Sequence, residues 1–186
     1  LTTAALLLAA GGGTRWQGPT HKLLTLIDGQ PLVLRAVAAA VEAGLDDVLV
    51  VTGAVDLAGV LPSGVVVVPN ARWAEGQAGS LRAGVDAAAA RGHDAVVVGL
   101  GDQPGVTASA WRMVAAAADR PIAVAAYRGR RGHPVRLAAA VWPLLPSGGD
   151  EGARGLLRDR PDLVGEVACE GDPADVDTLE DLTAWS

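Results

Sequence analysis

A single cysteine, Cys169, stands among 186 residues. That excludes an intrachain disulfide and any cysteine-built zinc site; a small buried hydrophobe is its default role. Histidine is as sparse: His21, His93 and His133 lie far apart and match no His-Glu-x-x-His pattern. Long apolar runs are missing too. The run Ala4–Ala10 has seven residues, against roughly 20 for a membrane span. No basic residue precedes it and glycines follow it, so it does not read as a signal peptide. The chain opens on Leu1 rather than methionine, and a few native residues are expected ahead of it. Positive charge is in deficit, with 15 Lys plus Arg against 21 Asp plus Glu and a net charge of −6. This argues against nucleic acid or an anionic membrane as partner, but not against a small anion in a locally basic cleft. A cytoplasmic setting is the simple expectation. With 50% hydrophobic and 19% charged residues the chain is not disordered, and its length predicts one domain over 1–186.

Short apolar runs recur at Leu6–Leu8, Val48–Thr52, Val65–Val68, Ala95–Leu100, Ile122–Ala125 and Leu163–Val167. Several are continuous rather than alternating, as in strands buried on both faces of a parallel sheet. Between them, Pro31–Gly44, Ser80–Arg91 and Thr107–Ala118 have helical spacing, the first with Pro near its start and Gly at its end. Alternating strand and helix predict an α/β fold, a sandwich with right-handed crossovers. Residues 128–155 are richer in Gly, Pro and Arg and read as an excursion before the last strand that forms part of a ligand cleft.

Five segments carry the candidate chemistry. Leu8-Ala9-Ala10-Gly11-Gly12-Gly13-Thr-Arg15, followed by Lys22, runs a strand into three glycines whose N–H groups can converge on an anion. Arg15 and Lys22 add charge, and a polyphosphate is the natural guest. Trp16 breaks a dinucleotide-binding glycine fingerprint and Pro19 breaks a Walker A loop; a tight turn without ligand would use the same glycines. Gly101-Asp102-Gln103-Pro104 ends a buried strand, where open α/β sheets bind ligands. Asp102 there suits Mg²⁺, or a helix cap, although Thr107 can fill that role. Asp175 and Asp177 are candidate partners for that metal, with Asp177 or Thr178 alternatively capping the last helix. Asn70, Gly76 and Ser80 lie in a loop leading to a helix, suited to pack on a ligand or simply to cap. Arg128, Arg130 and Arg131 beside His133 suit an acceptor phosphate, or a solvated loop. Asp150 is a candidate N-cap for the helix after Gly149-Asp-Glu-Gly-Ala-Arg154.

In their order along the chain these segments resemble the MobA-like nucleotidyltransferases, and within them the molybdenum cofactor cytidylyltransferase branch. The resemblance rests on Leu8-Ala-Ala-Gly-x-x-x-Arg15 with Lys22, Glu75-Gly76-x-x-x-Ser80-Leu-Arg82, Gly101-Asp-Gln-Pro104, Gly132-His-Pro-Val135, Gly149-Asp-x-Gly-Ala-Arg154 and Asp175-Val-Asp-Thr-x-Glu-Asp-Leu182. It implies a Rossmann-like, mostly parallel three-layer α/β/α sandwich. It implies transfer of a nucleoside monophosphate from an NTP to a phosphorylated acceptor, with release of pyrophosphate. Leu8 to Gly13, with Asn70, Gly76 and Ser80, would line the nucleotide; Arg15 and Lys22 would hold the triphosphate. Asp102 would bind Mg²⁺ with Asp175 or Asp177. Gln103, Pro104, Arg128, His133 and Pro134 would face the acceptor. The Ala9-Ala10-Gly11 opening is similar to CTP-using members, which implies a molybdopterin-type acceptor and a molybdoenzyme as downstream partner. GMP transfer, sugar-phosphate or phospholactate activation, and a non-catalytic pterin carrier are the rival readings. The chain departs from the family in Gly13, in the longer Arg15–Lys22 segment with Trp16, and in Leu179 where proline is usual.

Overall fold

The computed structural model describes residues 1–185. Strand β1 (Thr3–Ala9) passes through the glycine-rich loop and a 3-10 turn at Lys22–Leu24 to a short ladder of β2 (Leu26–Ile27) and β3 (Gln30–Pro31). Then come α1 (Leu32–Glu42), β4 (Asp47–Thr52), β5 (Val66–Pro69), α2 (Gln77–Ala90), β6 (Ala95–Leu100) and α3 (Ala108–Ala116). The chain continues with β7 (Ile122–Tyr127), β8 (Arg130–Ala138), α4 (Arg154–Asp159), β9 (Val164–Ala168) and α5 (Leu179–Thr183).

Seven strands form one sheet in the order β5-β4-β1-β6-β8-β7-β9. All neighbours are parallel except the two pairs that β8 makes. Continuous apolar strands fit this because both faces are covered. Ala5, Leu7, Val50 and Val97 turn to a core shared with Val33 and Val37 of α1 and Trp111 of α3. Leu6, Leu49, Val96 and Val98 turn the other way, onto Leu81 and Val85 of α2 with Trp142 and Leu156. The result is a Rossmann-like α/β/α sandwich. No helix among the described residues is long and apolar enough to cross a membrane.

Local chemistry explains the helix limits. Pro31 precedes α1 in an extended conformation, and Gly44 beyond its end sits at φ +70°, where glycine pays no Cβ penalty. The Thr107 hydroxyl accepts a 3.1 Å bond from Ala110 N at the start of α3, so Asp102 is not needed as a cap. Thr178 and Asp181 form a reciprocal capping box at α5, which assigns the cap to Thr178 and leaves Asp177 to the site. Asp150 does not cap α4, which starts at Arg154 after Ala153.

The 128–155 excursion is the main correction. Its first part is β8, an inner strand of the sheet. Arg128 and Gly129 take φ of +51° and +78° between the paired Tyr127 and Arg130, a two-residue hairpin turn whose positive φ values match the strand twist. Val124 pairs with Val135 but Ala125 pairs with Gly132. His133 and Pro134 therefore form a bulge, which is where a strand tolerates a proline without a ladder N–H. β6 pairs with β8 only from Ala138 to Val135. Beyond that point β8 parts from β6, and a cleft opens.

Candidate active site

Parallel β1, β4 and β6 bring their C-terminal ends to one edge of the sheet, and the chain order reverses direction at β1. That is where an open α/β sheet has room for ligands. Gly101 N donates to Leu8 O at 3.0 Å, tying the two loops that leave β1 and β6. The C-terminal segment is stitched across them: Val176 N donates to Asp102 O at 2.9 Å, and Gln103 Nε2 to Pro173 O at 2.8 Å. Residues far apart in sequence thus converge.

At the centre lies Lys22. Its Nζ is 2.7 Å from Asp102 Oδ2 and 2.8 Å from Asp177 Oδ1, and Arg15 Nη2 is 2.7 Å from Asp177 Oδ2. The Lys22 side chain is only 10% exposed, whereas that of Arg15 is 74% exposed. Burial works against the Lys22 ammonium, but Asp102 and Asp177 outweigh it and raise its pKa. Asp175 stands beside this group. Its Oδ1 accepts from Gln103 Nε2 at 2.7 Å. Burial, and next the charge of Asp102, push its carboxyl above the usual range.

Asp102 and Asp177 offer hard oxygen donors to a common space, and Asp102 Oδ1 has no protein hydrogen bond among the described residues. This donor set suits a small divalent cation that keeps substrate oxygens in its shell. The predicted trio does not close into a three-ligand metal cluster among the described residues. The Lys22 ammonium fills the space between Asp102 and Asp177, and Gln103 holds Asp175.

Two cavities flank this centre. The smaller, about 330 Å³, is lined by Leu8, Ala10, Gly11, Gly12, Gly76, Ser80 and Asp102, together with Trp73, Gln77 and Asp150. Ala9 and Gly13, expected to line the nucleotide, line neither cavity: Ala9 is buried in the core shared with α1, and Gly13 at φ +61° lies beside Lys22 and His21. Ser80 is buried and accepts from Asn70 Nδ2 at 3.0 Å. The larger cavity, about 710 Å³, has an apolar floor that includes Val98, Val124 and Val135. Arg128, Arg130, Arg131 and Arg154 form its basic side with His133 among them, and Gln103 and Asp175 lie toward the centre. Arg131 pairs with Glu166 at 2.7 Å; Arg128, Arg130 and Arg154 have no acidic partner among the described residues. Burial, with Arg154 nearby, pushes the half-buried His133 down to about 4, so it is neutral at pH 7. Pro134 is buried, and Pro104 lines neither cavity.

The altered Arg15–Lys22 segment is ordered by Trp16. Its indole N–H donates to Thr20 O at 2.8 Å, and its ring packs near Ile27, Leu32 and Val176. A Cβ on Gly18 would come within 2.5 Å of that ring, so the glycine is what lets the loop fold over Trp16.

Gln77, Asp150, Arg154 and Tyr127 are lining residues that sequence reasoning did not assign to a ligand. Gln77 opens α2 directly after Gly76, so its neighbour was the one available signal.

Comparison with known proteins agrees with this geometry. Residues 5–164 match the model of the MobA-like NTP transferase domain. The purine catabolism protein PucB of Bacillus subtilis is 32% identical over 111 residues, 58% of this chain and 54% of PucB. The chain thus spans about half of that relative's length. Rv0371c of Mycobacterium tuberculosis superposes with a TM-score of 0.82 at 29% identity, covering 98% of this chain and 96% of that one. The same protein has also been solved in complex with manganese, with a TM-score of 0.77 at 28% identity over 100% of this chain and 98% of that one. A nucleotidyl transferase from Methanothermobacter thermautotroptrophicus gives a TM-score of 0.82 at 27% identity, covering 98% and 95%. With the glycine loop, Lys22 and Asp102 assembled at one sheet edge and a family match across most of its length, this chain belongs to the MobA-like NTP transferase family.

Proposed function

We propose that the protein transfers CMP from CTP to the phosphate of an acceptor bound in the larger cavity, releasing pyrophosphate. A molybdopterin-type cofactor is the favoured acceptor. The observation that carries this reading is the pair of cavities meeting at Leu8 and Gln77, beside the Lys22–Asp102–Asp177 group. The smaller has the glycine loop a triphosphate needs, and the larger has unpaired arginines for an acceptor phosphate. The Ala9-Ala10-Gly11 opening supports CTP. An acceptor made for a molybdoenzyme would be used in the cytoplasm.

An acceptor phosphate oxygen attacks the α-phosphorus in line, and the bond from that phosphorus to the bridging oxygen of pyrophosphate breaks. The acceptor phosphate is already ionised near pH 7, so no side-chain base has to take a proton. The difficulty is the meeting of two anions, and the protein's task is to neutralise and orient them. Gly11 and Gly12 offer backbone N–H groups. Lys22 and Arg15 leave their carboxylates for the phosphates, countering charge on the departing pyrophosphate. Arg128, Arg130 and Arg154 hold the acceptor's anionic end. Asp102 and Asp177, once released by Lys22, would hold Mg²⁺, with Asp175 alongside; when bound, the ion supplies charge stabilisation on phosphate oxygens.

Calorimetry with CTP, GTP, ATP and UTP, with and without Mg²⁺, tests the reading. Tight Mg²⁺-dependent CTP binding is the expected result. Preference for GTP would move the donor to GMP, and binding of no nucleotide would overturn transfer in favour of a pterin carrier.

A further inference from the structure

Residues 149–154 form a wall between the two cavities. Asp150 lines the smaller one, whereas Glu151, Gly152, Ala153 and Arg154 line the larger. The wall is clamped onto the start of α2: Gly149 O accepts from Ala78 N at 2.9 Å. Gly76 lies so close beneath it, at φ +112°, that a Cβ there would come within 2.5 Å of Gly149 O and 2.7 Å of Asp150 Oδ1. Gly76 is therefore the residue that lets Asp150 reach this place.

Asp150 differs from the other acids of the site. Asp102, Asp175 and Asp177 each have a protein partner, whereas Asp150 has no hydrogen bond or ion pair among the described residues. A bare carboxylate repels a triphosphate, and in this cavity the phosphates are assigned to the Gly11–Gly12 loop and to Lys22 beside Asp102, which leaves Asp150 to the nucleoside. What a carboxylate accepts from a nucleotide is a neutral hydrogen-bond donor, and CTP offers only its ribose hydroxyls and its exocyclic amine. Carboxylates read ribose hydroxyls in dinucleotide sites and the cytosine amine in nucleic-acid grooves.

We infer that Asp150 is a specificity-determining residue that accepts a hydrogen bond from a donor on the nucleoside of the bound NTP. This rests on the assignment of the smaller cavity to the nucleotide.

The test is Mg²⁺-supported binding of CTP, 2′-deoxy-CTP, 3′-deoxy-CTP and UTP to the wild-type protein, Asp150→Asn and Asp150→Ala. The wild type should bind CTP on the order of tenfold tighter than the analogue lacking the donor that Asp150 reads. A deoxy analogue in that position identifies a hydroxyl, and UTP identifies the amine. Asp150→Ala should lose that discrimination and keep its affinity for the deficient analogue; Asp150→Asn, which retains an acceptor oxygen, should recover part of it. Unchanged discrimination in Asp150→Ala overturns the inference, as does an equal loss for all four nucleotides, which would mark a structural role at α2. If the wild type binds none of them, the nucleotide assignment itself falls, a different result from either.

Discussion

At the scale of single residues, charge placement makes the firmest predictions. Asp102 has one oxygen on Lys22 and one without a protein partner, so removing its carboxylate should spare the fold and remove turnover. Asp102→Ala should lose roughly 2.7–4 kcal/mol of transition-state stabilisation, the cost of one preorganised electrostatic group. Pyrophosphate-release kinetics beside an unfolding curve would check both halves; near-normal turnover would remove Asp102 from the mechanism. His133 predicts a pH effect. Its folded pKa of about 4 lies below the ordinary histidine value of 6.5, so the unfolded chain binds the proton more readily. Stability contributed by neutral His133 is therefore complete above about 6.5 and is lost as pH falls toward 4, by at most about 3 kcal/mol. Denaturant melts at pH 7.5 and 5 should show this loss, and His133→Gln should reduce it. Arg15, Lys22 and Asp102 were readable because their residue types follow strand ends. Asp150 was not, because nothing local to Gly149-Asp150-Glu151 reveals that α2 lies against it.

At the scale of elements, buried parallel strands announce themselves as unbroken apolar runs, and β1, β4 and β6 were legible for that reason. β8 was not. Its Arg-Arg-Gly-His-Pro start reads as loop, yet it pairs on both sides from Val135 onward while its first half parts from β6. Only the fold places an antiparallel strand there, with the bulge absorbing Pro134. The same packing makes Gly84 a sharp test of tertiary override. Gly84 sits inside α2, where alanine would normally gain about 1 kcal/mol. Here a Cβ would overlap Leu6, which is fully buried in β1. Gly84→Ala should therefore destabilise the protein, by about 1–3 kcal/mol for overpacking less the helical gain. Equilibrium urea unfolding reads the sign directly, and a stabilised variant would mean that α2 can lift off the sheet at little cost.

At the scale of the whole molecule, the carboxylates of Asp102 and Asp177 are neutralised by the protein's own cations. Lys22 and Arg15, assigned to phosphates, are bound to Asp102 and Asp177, assigned to metal. A metal arriving alone must displace an ammonium, and a triphosphate arriving alone must strip two carboxylates of their cations. When both arrive, the partners exchange and every charge stays paired. Metal and nucleotide should then bind with positive coupling, each raising the affinity for the other by the same factor. CTP itself chelates metal, so the clean measurement uses metal without nucleotide. Free Mn²⁺, followed by its electron paramagnetic resonance signal, should bind weakly to the wild type and at least several-fold tighter to Lys22→Met. Removing the ammonium ends its repulsion of the divalent ion, which at 4 Å and an effective dielectric constant near 20 has an upper bound of about 8 kcal/mol, twice the unit-charge value. An unfolding curve would verify that Lys22→Met remains folded. Equal Mn²⁺ affinity in the two proteins would mean that Lys22 does not hold the metal's place, and that Asp102 and Asp177 meet their cation from another side.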